Sequence, residues 1–318
     1  MSDDRQVVKQ LDHVIARVDD PQPLFKLLSE TLQLPIAWPL RSYPSFTSGG
    51  IALGNLYLEV LSCASQQDAS SNNSPAARFV AIAFESGSLG ESVGELDRLK
   101  LPHGPVVPYV EIDSSGKKTK LYANVILGKM LGGNYWIDSM IFMARLPGSS
   151  AMANPGAGGA LVRWGLSKVM NGQLVFLVEY AYGEFTNLPH WSEFGNHEEK
   201  RAADKTALAS VQGGVLGIES VKEIVAGVKD FEETQKRWSK LLGSNAETAP
   251  GLWKIADGPV VHLVSATGNG IQSLVLKVSS LKKAETFLSE NGMLGAPLEG
   301  LMTIAPEKIF GLDVSLAE

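Results

Sequence analysis

The chain has 318 residues, 44% of them hydrophobic and 19% charged, with a single cysteine and a net charge of −6. At roughly 100–200 residues per domain this predicts two domains, and the composition excludes a wholly disordered chain and a polytopic membrane protein. The lone Cys63 excludes an internal disulfide and a cysteine-rich zinc site, and the acidic balance gives no footing for sequence-independent nucleic-acid binding.

The opening MSDDRQVVKQLDHV is polar and acidic, without the apolar core of a secretory leader. No run reaches the roughly 18 apolar residues of a membrane span. The expectation is a cytoplasmic protein with a small-molecule substrate or ligand, and neither a nucleic-acid nor a membrane partner.

LDHVIARVDD, residues 11–20, alternates, with Val14, Ala16 and Val18 on one side and His13, Ile15 and Arg17 on the other. That period of two predicts a strand over 11–18. PQPLFKLLSETLQL then sets Leu24, Leu27, Leu28 and Leu32 on a helical face, with prolines near its start. SGGIALGNLYLEVLS predicts two strands about a Gly54-Asn55 turn, the second over 56–61. The order is strand, helix, strands.

The same order returns in VKEIVAGVKDFEETQKRWSKLLG, a strand over 221–228 and a helix over 231–242, with Gly243 fitting the helix end. APGLWKIADGPVVHLVSA follows with strands about Asp257-Gly258, the second over 260–264. Laid over the first passage, Glu223 falls on His13 and His262 falls on Glu59. Two weaker copies complete the pattern. RFVAIAFESGSLGESVGELDRLK closes with QLVFLVEYAYG, and IQSLVLKV leads through a helix to KIFGLDVSLAE. The polar stretches CASQQDASSNNSPA and EFTNLPHWSEFGNHEEKRAADKTALASVQGG mark boundaries. The reading is α+β: four βαβββ modules paired into two domains with curled mixed sheets. The first domain takes 1–190 with an insertion at about 146–172, the linker takes 191–212, and the second domain takes 213–318.

On LDHVIARVDDP with SGGIALGNLYLEVL, and on their second copy, the chain resembles the vicinal oxygen chelate superfamily of glyoxalases, epimerases, extradiol dioxygenases and drug-resistance proteins. The resemblance covers most of the chain. It implies paired glyoxalase-like modules whose sheets curl into a cup, with one inward residue from the first and last strand of each module able to hold a divalent metal. In the first pair those positions are His13, Glu59, Phe79 and Glu179; three are competent ligands and Phe79 is not. His13, Glu59 and Glu179 are the implied ligands, and Glu59 or Glu179 the implied base. In the second pair Glu223 and His262, with Ser273 and Asp313 beside them, form a secondary candidate site. One imidazole with two carboxylates suits Zn, Fe, Mn or Ni alike.

A metal with a carboxylate base favours glyoxalase chemistry, a lyase or isomerase moving a proton next to a carbonyl. A resistance-type binding protein is the alternative. An extradiol-like dioxygenase comes third, because its family pattern asks for two histidines and one glutamate. His190 and His197 read as a solvated inter-domain segment, His103 as a turn residue and Cys63 as incidental. No phosphate loop, dinucleotide fingerprint or nucleophile elbow is present. The small-residue insertion reads as a lid over the cup.

Overall fold

The computed structural model describes residues 7–43, 46–63, 77–112, 115–132, 173–182, 191–298 and 300–318. The expected insertion at 146–172 and His190 lie outside them.

The first module is β1 (Gln10–Arg17), α1 (Pro21–Lys26, continued by a π turn over Leu27–Thr31), β2 (Ile36–Ser42), β3 (Phe46–Ala52) and β4 (Tyr57–Cys63). Asp20 caps α1 by accepting from the Gln22 N–H, and Pro21 sits where a missing N–H costs nothing. Leu24, Leu28 and Leu32 are all buried, as their spacing predicts. The second module is β5 (Arg78–Glu85), α2 (Leu89–Arg98), β6 (Val107–Ile112), β7 (Lys118–Leu127) and β8 (Leu174–Tyr180). β1 runs parallel to β4, β5 parallel to β8, and β1 antiparallel to β5. The two modules thereby fuse into one eight-stranded sheet, ordered β2-β3-β4-β1-β5-β8-β7-β6. Aromatic contacts join its two ends: Tyr109 on β6 lies 6.0 Å from Phe46 on β3. The sheet therefore curls into a cup.

The next helix, α3 (His197–Ser210), occupies the stretch read as a linker. The second domain repeats the plan with β9 (Ile218–Val228), α4 (Phe231–Leu242), β10 (Glu247–Ala249), β11 (Leu252–Lys254) and β12 (Val260–Ser265). Its second half is β13 (Gly270–Val278), α5 (Leu281–Glu290), β14 (Met302–Thr303) and β15 (Val314–Ala317). The seven-stranded sheet has the order β10-β11-β12-β9-β13-β15-β14, with β9/β13 as its antiparallel seam. Among the described residues the fourth module has two strands after its helix, where three were predicted, with isolated bridges Leu294–Ile304 and Leu298–Leu301 between the helix and β15.

The helix-facing side of the first sheet carries Val14, Ala16, Leu58, Val60, Ile82 and Phe84, all buried. They share one core with Trp238 and Trp253 of the second domain, and the Phe84 and Trp238 rings stand 5.9 Å apart. At about 1.5–3 kcal/mol per fully buried large apolar side chain, this shared layer makes the two domains depend on each other. The cup side of the first sheet holds a separate cluster, including Ile15, Leu61, Val80, Phe176 and Val178. Phe79 was expected on the cup. It packs in the shared core instead, opposite Ala16, because register shifts between Ile15 and Ala16 turn it away.

Candidate functional site

His13 and Glu59 come together in the cup, as their alternation predicts. His13 Nε2 stands 3.3 Å from Glu59 Oε2. Glu59 also accepts from Ser48 Oγ at 2.5 Å, and Ser48 in turn accepts from the Trp38 indole N–H at 3.2 Å. Trp38 can lie flat on β3 because residue 50 is glycine; a Cβ there would enter the indole ring. His13 is walled by Phe176, with ring centroids 5.5 Å apart, and by Trp38 at 6.5 Å.

Behind His13 stands a residue that alternation hides. Strict period two puts Asp12 on the face opposite His13. The β1/β5 ladder shifts register between Leu11 and His13, leaving Asp12 without a partner residue on β5. At such a bulge consecutive residues escape alternation, and Asp12 and His13 meet side by side. Asp12 Oδ2 accepts from His13 Nδ1 at 2.6 Å and from the Tyr180 hydroxyl at 2.6 Å. Its Oδ1 accepts from His197 Nε2 at 2.7 Å and from Arg201 Nη2 at 2.8 Å. Two carboxylate oxygens offer about four lone-pair sites, so this aspartate is fully engaged. Tyr182 closes the chain, its hydroxyl 2.5 Å from His197 Nδ1.

The charges follow from this geometry. Burial opposes ionisation of Asp12, but the His197 and His13 rings and Arg201 hold it well below the usual carboxylate range. Burial also pulls the His13 imidazole down, and the hydrogen bond and charge of Asp12 outweigh it, leaving His13 above its ordinary value. Glu59 is pushed up by burial, with His13 and Ser48 opposing. Tyr180 is pushed far up by burial and by Asp12, so it stays a hydroxyl donor.

Glu179 is not brought to this pair. Its carboxylate accepts from the Leu89 backbone N–H at 2.8 Å, on the helix side, at the first turn of α2. On β8 the cup-facing residues are Phe176, Val178 and Tyr180. In the second sheet Glu223 and His262 do meet, with Oε1 and Nδ1 2.6 Å apart and both side chains partly exposed. His197 was read as solvated and is instead 5% exposed, because α3 docks it onto Asp12. Asp12, Glu85, His197 and Arg201 carry no family signal in the sequence. Asp12 is hidden by its bulge, and the other three sit where no repeat position points.

Asp12, Glu85 and His197 bring one ligand atom each within 4.8 Å of one another, a spacing consistent with a divalent ion. The donor chemistry fits less well. Both Asp12 oxygens are engaged, Gln10 donates to Glu85 Oε2 at 2.5 Å, and the Arg201 guanidinium already brings a positive charge to both carboxylates. A cation placed there faces Arg201 at close range. The His13–Glu59 pair offers a second candidate donor set. An imidazole whose far nitrogen is fixed by a carboxylate is the arrangement that orients histidine ligands, and the adjacent Glu59 supplies a second, anionic donor.

No family model and no curated protein matches the sequence. Solved structures do match. A hypothetical protein from Staphylococcus aureus superposes with a TM-score of 0.51 at 10% identity, over 96% of this chain and 98% of that one. A variant of homoprotocatechuate 2,3-dioxygenase from Brevibacterium fuscum gives 0.48 at 8% identity, over 98% and 71%. A Mn(II)-bound glyoxalase from Novosphingobium aromaticivorans gives 0.48 at 8%, over 97% and 81%. The first establishes a shared fold across nearly both whole chains; the other two overlap too loosely to bear on chemistry. The parallel first and last strands of each module and the antiparallel seams β1/β5 and β9/β13 give the chain two sheets of paired modules, as its internal repeat predicts. No helix among the described residues is long and apolar enough to cross a membrane.

Proposed function

We propose that the chain is a metal-dependent enzyme of glyoxalase type, a lyase or isomerase acting on a small oxygenated molecule in the first cup. The observation that carries this reading is the convergence of His13 Nε2 and Glu59 Oε2 at 3.3 Å, with Asp12 fixed behind the imidazole. His13 and Glu59 would hold the metal, and the remaining coordination positions fall to water or to substrate oxygens. A divalent ion held there would supply Lewis-acid charge to a substrate carbonyl oxygen. The chain's own residues supply the rest. Burial raises the Glu59 carboxyl above its ordinary range, and Oε2, once released from the metal, would take a proton from carbon beside that carbonyl. Ser48 Oγ steadies the other carboxylate oxygen. Trp38 and Phe176 keep water from the His13 ring.

Metal analysis of protein purified without chelator tests this. We expect a divalent ion near one per chain, and His13→Ala should lower the affinity for added Zn²⁺ at least about tenfold, because even second-shell losses cost that much. Metal binding unchanged in His13→Ala overturns the assignment. A second reading, a binding protein that does not turn its ligand over, is favoured by the aromatic wall, where Trp38, Trp191 and Tyr180 succeed one another with centroids 6.1 and 4.9 Å apart. It predicts ligand affinity that survives chelation. The extradiol alternative asks for a second imidazole in the cup. Among the described residues the other nearby ring, His197, is turned onto Asp12.

A further inference from the structure

We infer that His197, on the helix between the two domains, is a positioning residue for the His13–Glu59 pair and acts through Asp12. The inference rests on that pair being the working centre.

The first argument is continuity. Tyr182, His197, Asp12, His13 and Glu59 form an unbroken chain at 2.5, 2.7, 2.6 and 3.3 Å. Its middle is dry, with Asp12 fully buried and His13 and His197 each 5% exposed. Since Asp12 can only accept, the ring atoms facing it must donate: Nδ1–H of His13 and Nε2–H of His197. His197 therefore locks Asp12, and Asp12 locks His13 in the form that presents Nε2 to the cup.

The second argument is the internal repeat, which supplies a comparison within the same chain. In the second sheet Glu223 takes the place of His13, His262 that of Glu59, and Lys222 that of Asp12. The β9/β13 ladder carries a matching register shift there, with Leu276 paired to Val221 and Val275 to Glu223. With no carboxylate behind it, the second pair has closed into a direct contact of 2.6 Å. In the first cup the pair stands apart at 3.3 Å, longer than a charge-assisted hydrogen bond of about 2.7–2.9 Å. Asp12 on one side and Ser48 on the other draw the two groups back from each other. A pair held apart keeps donor atoms for a third partner; a closed pair does not.

The third argument is cost. α3 docks on the first domain through His197, Lys200, Arg201 and Asp204, and of its apolar residues Leu208 alone is fully buried. Burying charged and polar groups is expensive, and an apolar face would hold a helix at least as well. The polar face makes sense if it has to reach Asp12.

His197→Ala, with Zn²⁺ alone as the probe, tests the inference, and His197→Gln serves as the rescue because its amide N–H can reach Asp12. Two readouts are taken with the imidazoles neutral: Zn²⁺ affinity by calorimetry, and the ring-nitrogen NMR signature of His13. We expect His197→Ala to weaken Zn²⁺ about tenfold and to shift His13 away from a pure Nδ1–H form, with His197→Gln restoring both. Should His197→Ala not fold, Tyr182→Phe removes the hydroxyl facing His197 and should move both readouts the same way by a smaller amount. If wild-type protein binds no Zn²⁺ yet the His13 signature shifts, the metal assignment fails and the positioning role stands. A folded His197→Ala, or Tyr182→Phe in its stead, with an unchanged His13 signature overturns the inference.

Discussion

Asp12 is the residue on which most of the site turns, and its acidity sets a pH dependence. Its folded pKa lies below the ordinary value of 3.8, so its contribution to stability is complete above that value and is lost as pH falls through the depressed folded one. His13 has the opposite sign. Its folded pKa is raised above 6.5, so its contribution is complete below that and is lost as pH rises through the folded value. Denaturant unfolding should therefore give greatest stability between about pH 4 and 6.5 for these two groups. Asp12→Ala should cost about 3–5 kcal/mol near neutrality, because it leaves two buried imidazoles and the half-buried Arg201 guanidinium without their shared carboxylate, and should flatten the acid-side slope. A variant that keeps the wild-type slope would remove Asp12 from the account. His13 and Glu59 were legible from alternation and from the repeat. Asp12 was not, since a one-residue bulge is a tertiary pairing event that a single strand's pattern does not record.

Elements show the same division. β1, α1, β4, β9, α4 and β12 follow from periods of 2 and 3.6, and Gly243 ends α4 with a φ of 82°, a backbone conformation that favours glycine. α3 escapes this reading because its docking face is charged, so no apolar stripe announces a helix. Glu179 fails for a different reason. The long interval between β7 and β8 removes the spacing that would align β8 with β4, and a shift of one residue exchanges the faces of a strand. Tyr180, one residue on, reaches Asp12, and Phe176 on the same face of β8 walls His13. Glu179 then belongs to helix capping, and Glu179→Ala should cost about 0.5–2 kcal/mol through the freed Leu89 N–H. Zn²⁺ affinity in the same variant should match wild type; a fall like that of His13→Ala would return Glu179 to the site.

At the scale of the whole molecule, the two sheets are joined by more than a tether. Asn55, at the β3–β4 turn of the first domain, bonds the Val221 carbonyl at 3.0 Å and N–H at 2.9 Å, and the Asp257 carbonyl at 3.0 Å. One side-chain amide thus knits the first hairpin turn to β9 and to the matching turn of the second domain. Its neighbour Gly54 has a φ of 85°, and a Cβ there would strike the Glu219 carbonyl, so a close approach between domains adds to the strain of the turn. The Phe84–Trp238 contact and the shared core lie on the same joint. Thermal unfolding should accordingly be one transition and not two. Asn55→Ala leaves the Val221 N–H and two carbonyls without their partner and should cost about 1–3 kcal/mol. Gly54→Ala should lower stability further by pushing the turn off β9. Both should move that one transition down as a unit, read by calorimetry alongside tryptophan fluorescence. Two resolved transitions in wild type, or a loss confined to the second domain in Asn55→Ala, would mean that each sheet folds for itself.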